Sequence, residues 1–305
     1  MASNSRIVRP PRFTKLSELC GVEERDFLQV EEHLQHWLGV DASPEHGKTT
    51  LAEALFLMAY AQGNRPTGWT ILMQAAYDDV WDAIHGLVLD PVANIEVWNH
   101  EGETALIIAA KGGNMRTCSV LLEVGADVDG RGVDGRSPLH YASRGTGEHQ
   151  YLCKTMEVLI MAGADINALD YEGCTPLHEA CATGNRYCET LLLLRSNATP
   201  TIPDMWGATP LHVVCGSRGH VMSANGHVTI ASMLIVCGAD PCVSDKHDDM
   251  SMHLVYDTSL YGFEVVQRML KYSPGPYISI PDKNGNTLLH KTKGDVVSFK
   301  WLLDH

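Results

Sequence analysis

Four groups of residues in this sequence carry side chains that chemistry uses. Tyr171, Glu172, His247 and Asp249 offer a phenol, two carboxylates and an imidazole. Gathered in one enclosed apolar pocket, such groups move protons as acid and base, which suits a cofactor-independent cyclisation or isomerisation of a small molecule. Residues 42–49 fit a permissive phosphate-loop pattern, ending in Gly47-Lys48-Thr49. A working loop of that kind follows a strand and points backbone N–H groups at phosphate. Here residues 33–38 read as helix, Pro44 removes one donor and Glu45 repels the ligand, so Gly47 with Thr49 or Thr50 reads as a helix start. Cys215, His220 and His227 invite a metal, but their spacing and number match no standard zinc site. Cys174, Cys181 and Cys188 are evenly spaced. A reactive thiol needs a neighbouring base or an electropositive setting, and Cys181 reads as a small apolar packing residue. No cofactor and no metal is expected.

The elements that must position these residues are bounded by composition. The chain has 305 residues, 45% hydrophobic and 20% charged, which is a folded composition long enough for a large core. Asp and Glu total 37 against 23 Lys and Arg, a formal charge of −14. That sign repels phosphate, so no nucleic-acid partner is expected. No apolar run approaches a membrane span, and the polar start with Arg6, Arg9 and Arg12 lacks the apolar centre of a secretory signal. Nine scattered cysteines read as reduced thiols, hence a cytoplasmic or nuclear protein.

Internal repetition then decides the architecture. Gly135-Arg136-Ser137-Pro138-Leu139-His140 recurs as Gly173-Cys174-Thr175-Pro176-Leu177-His178 and Gly207-Ala208-Thr209-Pro210-Leu211-His212. Weaker copies start at Gly102, ending in Thr104-Ala105-Leu106, and at Gly285, ending in Leu288-Leu289-His290. The spacing is about 33 residues, stretched in places. Gly-Ala-Asp closes several units, at Gly125, Gly163 and Gly238. Gly68-Trp69-Thr70 opens a first copy with Met73 at the histidine position, and a degenerate copy at residues 250–253 has Asp248 where the others have glycine. Thr before Pro supplies an N-cap hydroxyl and a proline in the first turn, where its missing N–H costs nothing. The preceding glycine suits a positive-φ turn. One short helix pair cannot bury its apolar face alone, so neighbours must stack.

These motifs resemble ankyrin repeats over about residues 65–305. The resemblance implies an all-α solenoid of helix-turn-helix units with β-turn fingers. Its concave groove is lined by the fingers and the first helices. It implies about seven repeats over residues 64–305, with insertions near 144–150 and 216–227 that can form a lip beside the groove. Residues 1–15 read as a flexible arm. Residues 16–63 carry two helical patterns, one with Phe27, Val30, Leu34, Trp37 and Leu38, and read as an N-terminal helical cap. The histidines His140, His178, His212, His253 and His290 fall on the repeat's own position, where the family uses imidazole to tie turns together.

In the family, the residues flanking the turn glycine and those after the small pair of the first helix make most contacts. Carried onto this chain, they begin with Trp69, Tyr77 and Asp78. His100, Glu101 and Glu103 follow, then Val133, Asp134 and Arg136. The fourth unit gives Tyr171, Glu172, Cys174 and Thr183, and the fifth Met205, Trp206 and Ser217. The last two give Lys246, His247, Asp249, Tyr256 and Asp257, then Lys283, Asn284 and Asn286. Trp and Tyr are frequent binding anchors, and the early units present more acids than bases. The expected function is non-catalytic recognition of a protein partner by Trp69, Tyr77, Glu101, Glu103, Tyr171, Glu172, Met205, Trp206, Lys246 and His247. The alternative is the small-molecule enzyme, with the four acid–base groups in the groove. The expected state is a monomer or a weak homodimer.

Overall fold

The computed structural model describes residues 69–88, 94–182, 187–216, 224–258, 262–272, 277–292 and 295–304. The arm, the N-terminal cap and most of the second insertion lie outside these, as do Thr183, Ser217, His220 and residues 42–49. The described helices form pairs. α1 Ile71–Tyr77 pairs with α2 Trp81–Val88, α3 Ala105–Gly112 with α4 Met115–Glu123, and α5 Pro138–Arg144 with α6 His149–Met161. α7 Pro176–Ala182 pairs with α8 Tyr187–Arg195, α9 Pro210–Gly216 with α10 Ala224–Val236, and α11 Ser251–Thr258 with α12 Gly262–Tyr272. After a 3-10 turn, Tyr277–Ser279, α13 Leu288–Lys291 and α14 Val296–Leu303 close the array. First helices stack on first helices and second on second. Among the described residues the only β pairing is an isolated bridge, Ser244 to Met250.

The first helices start where the motif says. Ser137, Thr175, Thr209 and Thr287 sit before the helix, and each donates its backbone N–H to Nδ1 of the histidine three residues on. In the first unit Met73 replaces that histidine, and its sulfur accepts from the Thr70 N–H at 3.4 Å. The second helices end in a left-handed residue, Gly125 at φ 97°, Gly163 at 95° and Gly238 at 101°. Asn197 takes the same place at φ 68°. The following N–H then reaches back five residues to cap a helix carbonyl, as from Ala126 to Leu121 and from Ala198 to Leu193.

The core runs through the stack. Leu106, Leu121, Leu139, Leu159, Leu177, Leu193 and Leu211 are buried, with Ala109, Ala142, Ala180, Cys181 and Cys215 at the close approaches between helices. Cys181 and Cys215 therefore act as small apolar residues, and burial pushes both thiols far up. The 144–150 insertion is packed rather than free. Thr146 donates its N–H to the Lys111 carbonyl, and His149 and Gln150 open α6. Of the second insertion, residues 224–227 belong to α10.

Between helix pairs lie the fingers. In all the described fingers but the one at Gly132, an Asx side chain gathers two N–H groups with its Oδ1: Asn99 from Glu101 and Glu103, Asp170 from Glu172 and Cys174, Asp204 from Trp206 and Ala208. Asp245 and Asp282 repeat it. The turn residue is glycine at φ 70–80° in Gly102, Gly135, Gly173, Gly207 and Gly285, and Asp248 at φ 59° in the degenerate unit. The missing Cβ matters because the next finger lies against it. A Cβ on Gly173 would sit 3.0 Å from the Met205 backbone nitrogen. Gly173→Ala is therefore expected to destabilise by about 1–2 kcal/mol, and Asp248→Gly to stabilise by about 0.5 kcal/mol. Urea unfolding midpoints of the two variants, moving in opposite directions from the parent, check this.

Candidate functional site on the fingers and first helices

Four consecutive fingers, from Asp134 to Lys246, are bonded each to the next through the backbone. Tyr171 donates its N–H to the Asp134 carbonyl, Met205 to Glu172 at 2.8 Å, and Lys246 to Trp206 at 2.8 Å. This sets the finger tips in one row. Beneath it the histidines cross from repeat to repeat. His140 Nε2 bonds the Cys174 carbonyl at 3.0 Å, His178 the Ala208 carbonyl at 3.1 Å, and His212 the Asp249 carbonyl at 3.2 Å. Because Nδ1 of each accepts a backbone N–H, Nε2 carries the proton and donates. A second proton would have to enter facing a donor. Burial lowers the pKa of all three imidazoles, outweighing the carbonyl bond and the nearby carboxylates that favour the charged form. These histidines are neutral structural bridges.

The row presents large apolar groups. Tyr171 is 74% exposed, Met205 51% and Trp206 43%, on two adjacent fingers. The Tyr171 ring also covers Gly135, where an added Cβ would meet it at 2.6 Å, so the ring is seated on one finger and open to solvent. Glu101, Glu172, Lys246 and His247 are exposed beside it. At the start of the array Trp69 is half-buried against the core and meets Tyr77 edge-on at 5.7 Å, while Tyr77 remains exposed.

Two carried-over positions are not presented to a partner. Glu103 is buried, because its carboxylate takes Lys111 Nζ at 2.8 Å and the Asn99 amide at 3.2 Å. Arg136 is drawn down off the finger into a network of carboxylates. Its guanidinium meets Glu179 at 2.7 Å, Asp170 at 3.2 Å and Asp134 at 3.4 Å, and Arg144 reaches Glu179 from the other side at 3.4 Å. Burial works against the Arg136 charge, yet the three carboxylates hold its pKa above the usual value. Burial lifts the Glu179 carboxyl, and Arg136 and Arg144 oppose the rise. Glu179 lies on α7, outside the motif positions, so no sequence signal marked it.

The four acid–base groups stand on two fingers that are not adjacent. Tyr171 and Glu172 share one, His247 and Asp249 another two repeats on, with the Trp206 finger between. Asp249 is committed to Lys283, at 2.7 Å. Cys174 is half-buried with its thiol pushed up to about 12, first by burial and then by Asp170 and other carboxylates, which suits no nucleophile. Asp170, Glu172 and Cys174 bring ligand atoms close together. However, Asp170 already accepts two backbone N–H groups and Arg136, as its counterparts do in other fingers. Trp98, 59% exposed, was not marked by the motif because it precedes the turn positions.

The fold and motifs agree with comparison to known proteins. A family model described as ankyrin repeats, in three copies, matches residues 72–168 and 148–245, more than half of the chain. The chain belongs to the ankyrin-repeat family. It is 39% identical over 57 residues to the NF-kappa-B inhibitor cactus of Drosophila yakuba, covering 18% of this chain and 12% of that protein. The match to cactus of Drosophila melanogaster is the same length and identity and covers 11% of that protein. The chain thus spans only about an eighth of these relatives. Among solved structures it resembles the human ASB11 ankyrin repeat domain, with a TM-score of 0.58 and 22% identity, covering 77% of this chain and 97% of that one. An ankyrin repeat domain from Acinetobacter baumannii AYE gives a TM-score of 0.56 and 23% identity, with 66% and 96% covered. No described helix is long and apolar enough to cross a membrane.

Two outcomes follow from this electrostatics. Arg136→Met leaves two largely buried carboxylates without their main cation and is expected to cost about 2 kcal/mol, discounted for partial exposure. Thermal unfolding of the variant checks it. His140, His178 and His212 have folded pKa values below the unfolded 6.5, so the unfolded chain binds more protons in that window. Their contribution is fully present above about pH 6.5 and is lost as pH falls towards the depressed folded values. The unfolding midpoint is expected to drop between about pH 7.5 and 5.5, and to drop less in His178→Gln.

Proposed function

We propose that this chain is a non-catalytic module that recognises a basic protein partner through its finger row and first helices. The observation that carries the reading is the exposed apolar seat of Tyr171, Met205 and Trp206. Its backbone is fixed by the Glu172–Met205 hydrogen bond, and it is flanked by exposed Glu172. Rigid aromatic anchors lose little side-chain freedom on binding, and a preorganised surface spends less of its interaction energy on ordering. Acids at the rim steer a cationic partner into register. Tyr77 and Glu101 extend the surface towards the start of the array, Lys246 and His247 towards its end. The cactus proteins matched over 57 residues are, by name, inhibitors of another protein, which agrees with action by binding. On this reading the protein works as a monomer or weak homodimer in the cytoplasm or nucleus.

The test is selection of a random peptide-display library on the full chain. Peptides enriched in Lys and Arg are expected. Tyr171→Ala with Trp206→Ala should weaken the selected peptides about 100-fold, and Glu172→Lys about 10-fold. Acidic or uncharged winners, or winners unaffected by these substitutions, would count against the reading.

A further inference from the structure

The last described helix, α14, turns apolar side chains both ways. Inward, Ser298 and Leu302 lie one turn apart and are buried, and Trp301 meets Phe263 of α12 edge-on at 5.6 Å. Outward, Val296, Phe299 and Leu303 follow at i, i+3 and i+7, which draws one stripe along the helix. Val296 is 75% exposed, Phe299 44% and Leu303 60%, and Val297 beside them is exposed too. Among the described side chains, no other helix opens more than two large apolar groups. The register of the array shows what is unusual here. The residue three before an inward leucine or methionine is Cys118 in α4, Met156 in α6, Thr190 in α8, Ala231 in α10 and Val266 in α12, and all five are fully buried. Phe299, three before Leu302, takes that place in α14 and stands open, because no described helix stacks beyond it. Soluble arrays finish in a repeat with a polar outer face, and a contiguous apolar patch in its stead marks an interface.

The charges beside the stripe fit a second copy of this chain. Lys300 and Asp304 are exposed and stand one turn apart on the same flank. In an antiparallel pairing about a two-fold axis, each flank meets the same flank of the other helix, so Lys300 of one copy reaches Asp304 of the other, twice over. The helix dipoles also oppose in that arrangement. Asp295 takes no part, since its carboxylate accepts the Val297 and Ser298 N–H groups of its own helix end. The flank thus balances one cation against one anion, although the whole chain carries −14. Area sets the strength. Four such side chains, roughly half to three quarters open, offer a few hundred Å² per copy, below the interfaces of permanent dimers and suited to weak association.

We propose that the outer face of α14 joins two copies of this chain in an antiparallel, two-fold contact. Phe299 and Leu303 of the two copies interleave at its centre, Val296 closes its edge, and Lys300 of each copy pairs with Asp304 of the other. The contact uses no finger residue, so the dimer presents the Tyr171–Trp206 seat twice. A partner with two matching segments then binds by avidity, without any new contact at either seat. The contact does not depend on the protein-binding reading.

The test is sedimentation equilibrium of the full chain under reducing conditions, from about 10 µM to about 1 mM. A reversible monomer–dimer equilibrium is expected, with a dissociation constant of about 100 µM. Leu303→Glu should weaken it about tenfold or more and leave the thermal midpoint unchanged, since that side chain is open. Lys300→Glu sets acid against acid and should weaken it about threefold to tenfold. Adding Asp304→Lys to Lys300→Glu should restore the parent constant, which a merely adhesive patch would not do. Tyr171→Ala with Trp206→Ala should change nothing. A parent that stays monomeric to about 1 mM would overturn the proposal. So would a dimer that survives Leu303→Glu, or one that is lost with the two finger residues, since the contact would then lie elsewhere. Failure of the double charge reversal to restore association would overturn the antiparallel pairing.

Discussion

Three successive fingers, those of Asp170, Asp204 and Asp245, are each held by a buried imidazole that belongs to the preceding repeat. The ring accepts an N–H at the start of its own first helix and donates to a carbonyl of the next turn, as His178 does between Thr175 and Ala208. One side chain thus fixes where a helix begins and where the following finger lies. A buried hydrogen bond of this kind contributes only about 1 kcal/mol net, but leaving its groups unpaired costs more, so the chain has little freedom to shift. Gly173 and Gly207 complete the constraint, because the next backbone lies against the place of the missing Cβ. The finger row, the depth of the first helices and the stacking of the leucine core all follow from that spacing.

This rigidity separates two kinds of surface. On the finger side, backbone bonds between tips fix Tyr171, Met205 and Trp206 while leaving their side chains to solvent. The first helices beneath hold their charges in internal pairs, with Arg136 bridging a finger, the next turn and α7. What remains outward is an apolar ridge with acids beside it, a surface that selects by shape and by sign of charge. On the second-helix side, His149 of α6 meets the buried Glu189 of α8.

The irregular units show how far the pattern bends. Asp248 occupies the positive-φ turn position that glycine fills elsewhere, and its neighbours still make the same Asx turn through Asp245. Met73 stands in for the capping histidine with a weaker sulfur acceptor. Asn197 replaces the closing glycine of a second helix, since asparagine tolerates the left-handed conformation. In each case the backbone requirement is met by a second-best side chain, so the register of the array survives.

The repeated Thr-Pro-Leu-His and Gly-Ala-Asp motifs by themselves determined the helix starts, the turn glycines, the family and the structural role of His140, His178 and His212. These are local requirements: a hydroxyl at an N-cap, a positive φ, a ring that reaches one repeat along. The resemblance placed Tyr171 and Trp206 among the contact positions, and the structure leaves both side chains exposed. Only the tertiary structure decided the charges. Glu103 and Arg136 follow their turn glycines as Cys174 does, yet Lys111 draws one inward and Asp170 and Glu179 the other. Their partners come from a helix one turn away or from the next repeat, which no spacing within one repeat encodes. Likewise His149 and Glu189 are 40 residues apart in the chain and meet only because α6 packs on α8. Short-range geometry is written along the sequence, whereas the pairing of long side chains depends on which helices stacking brings face to face.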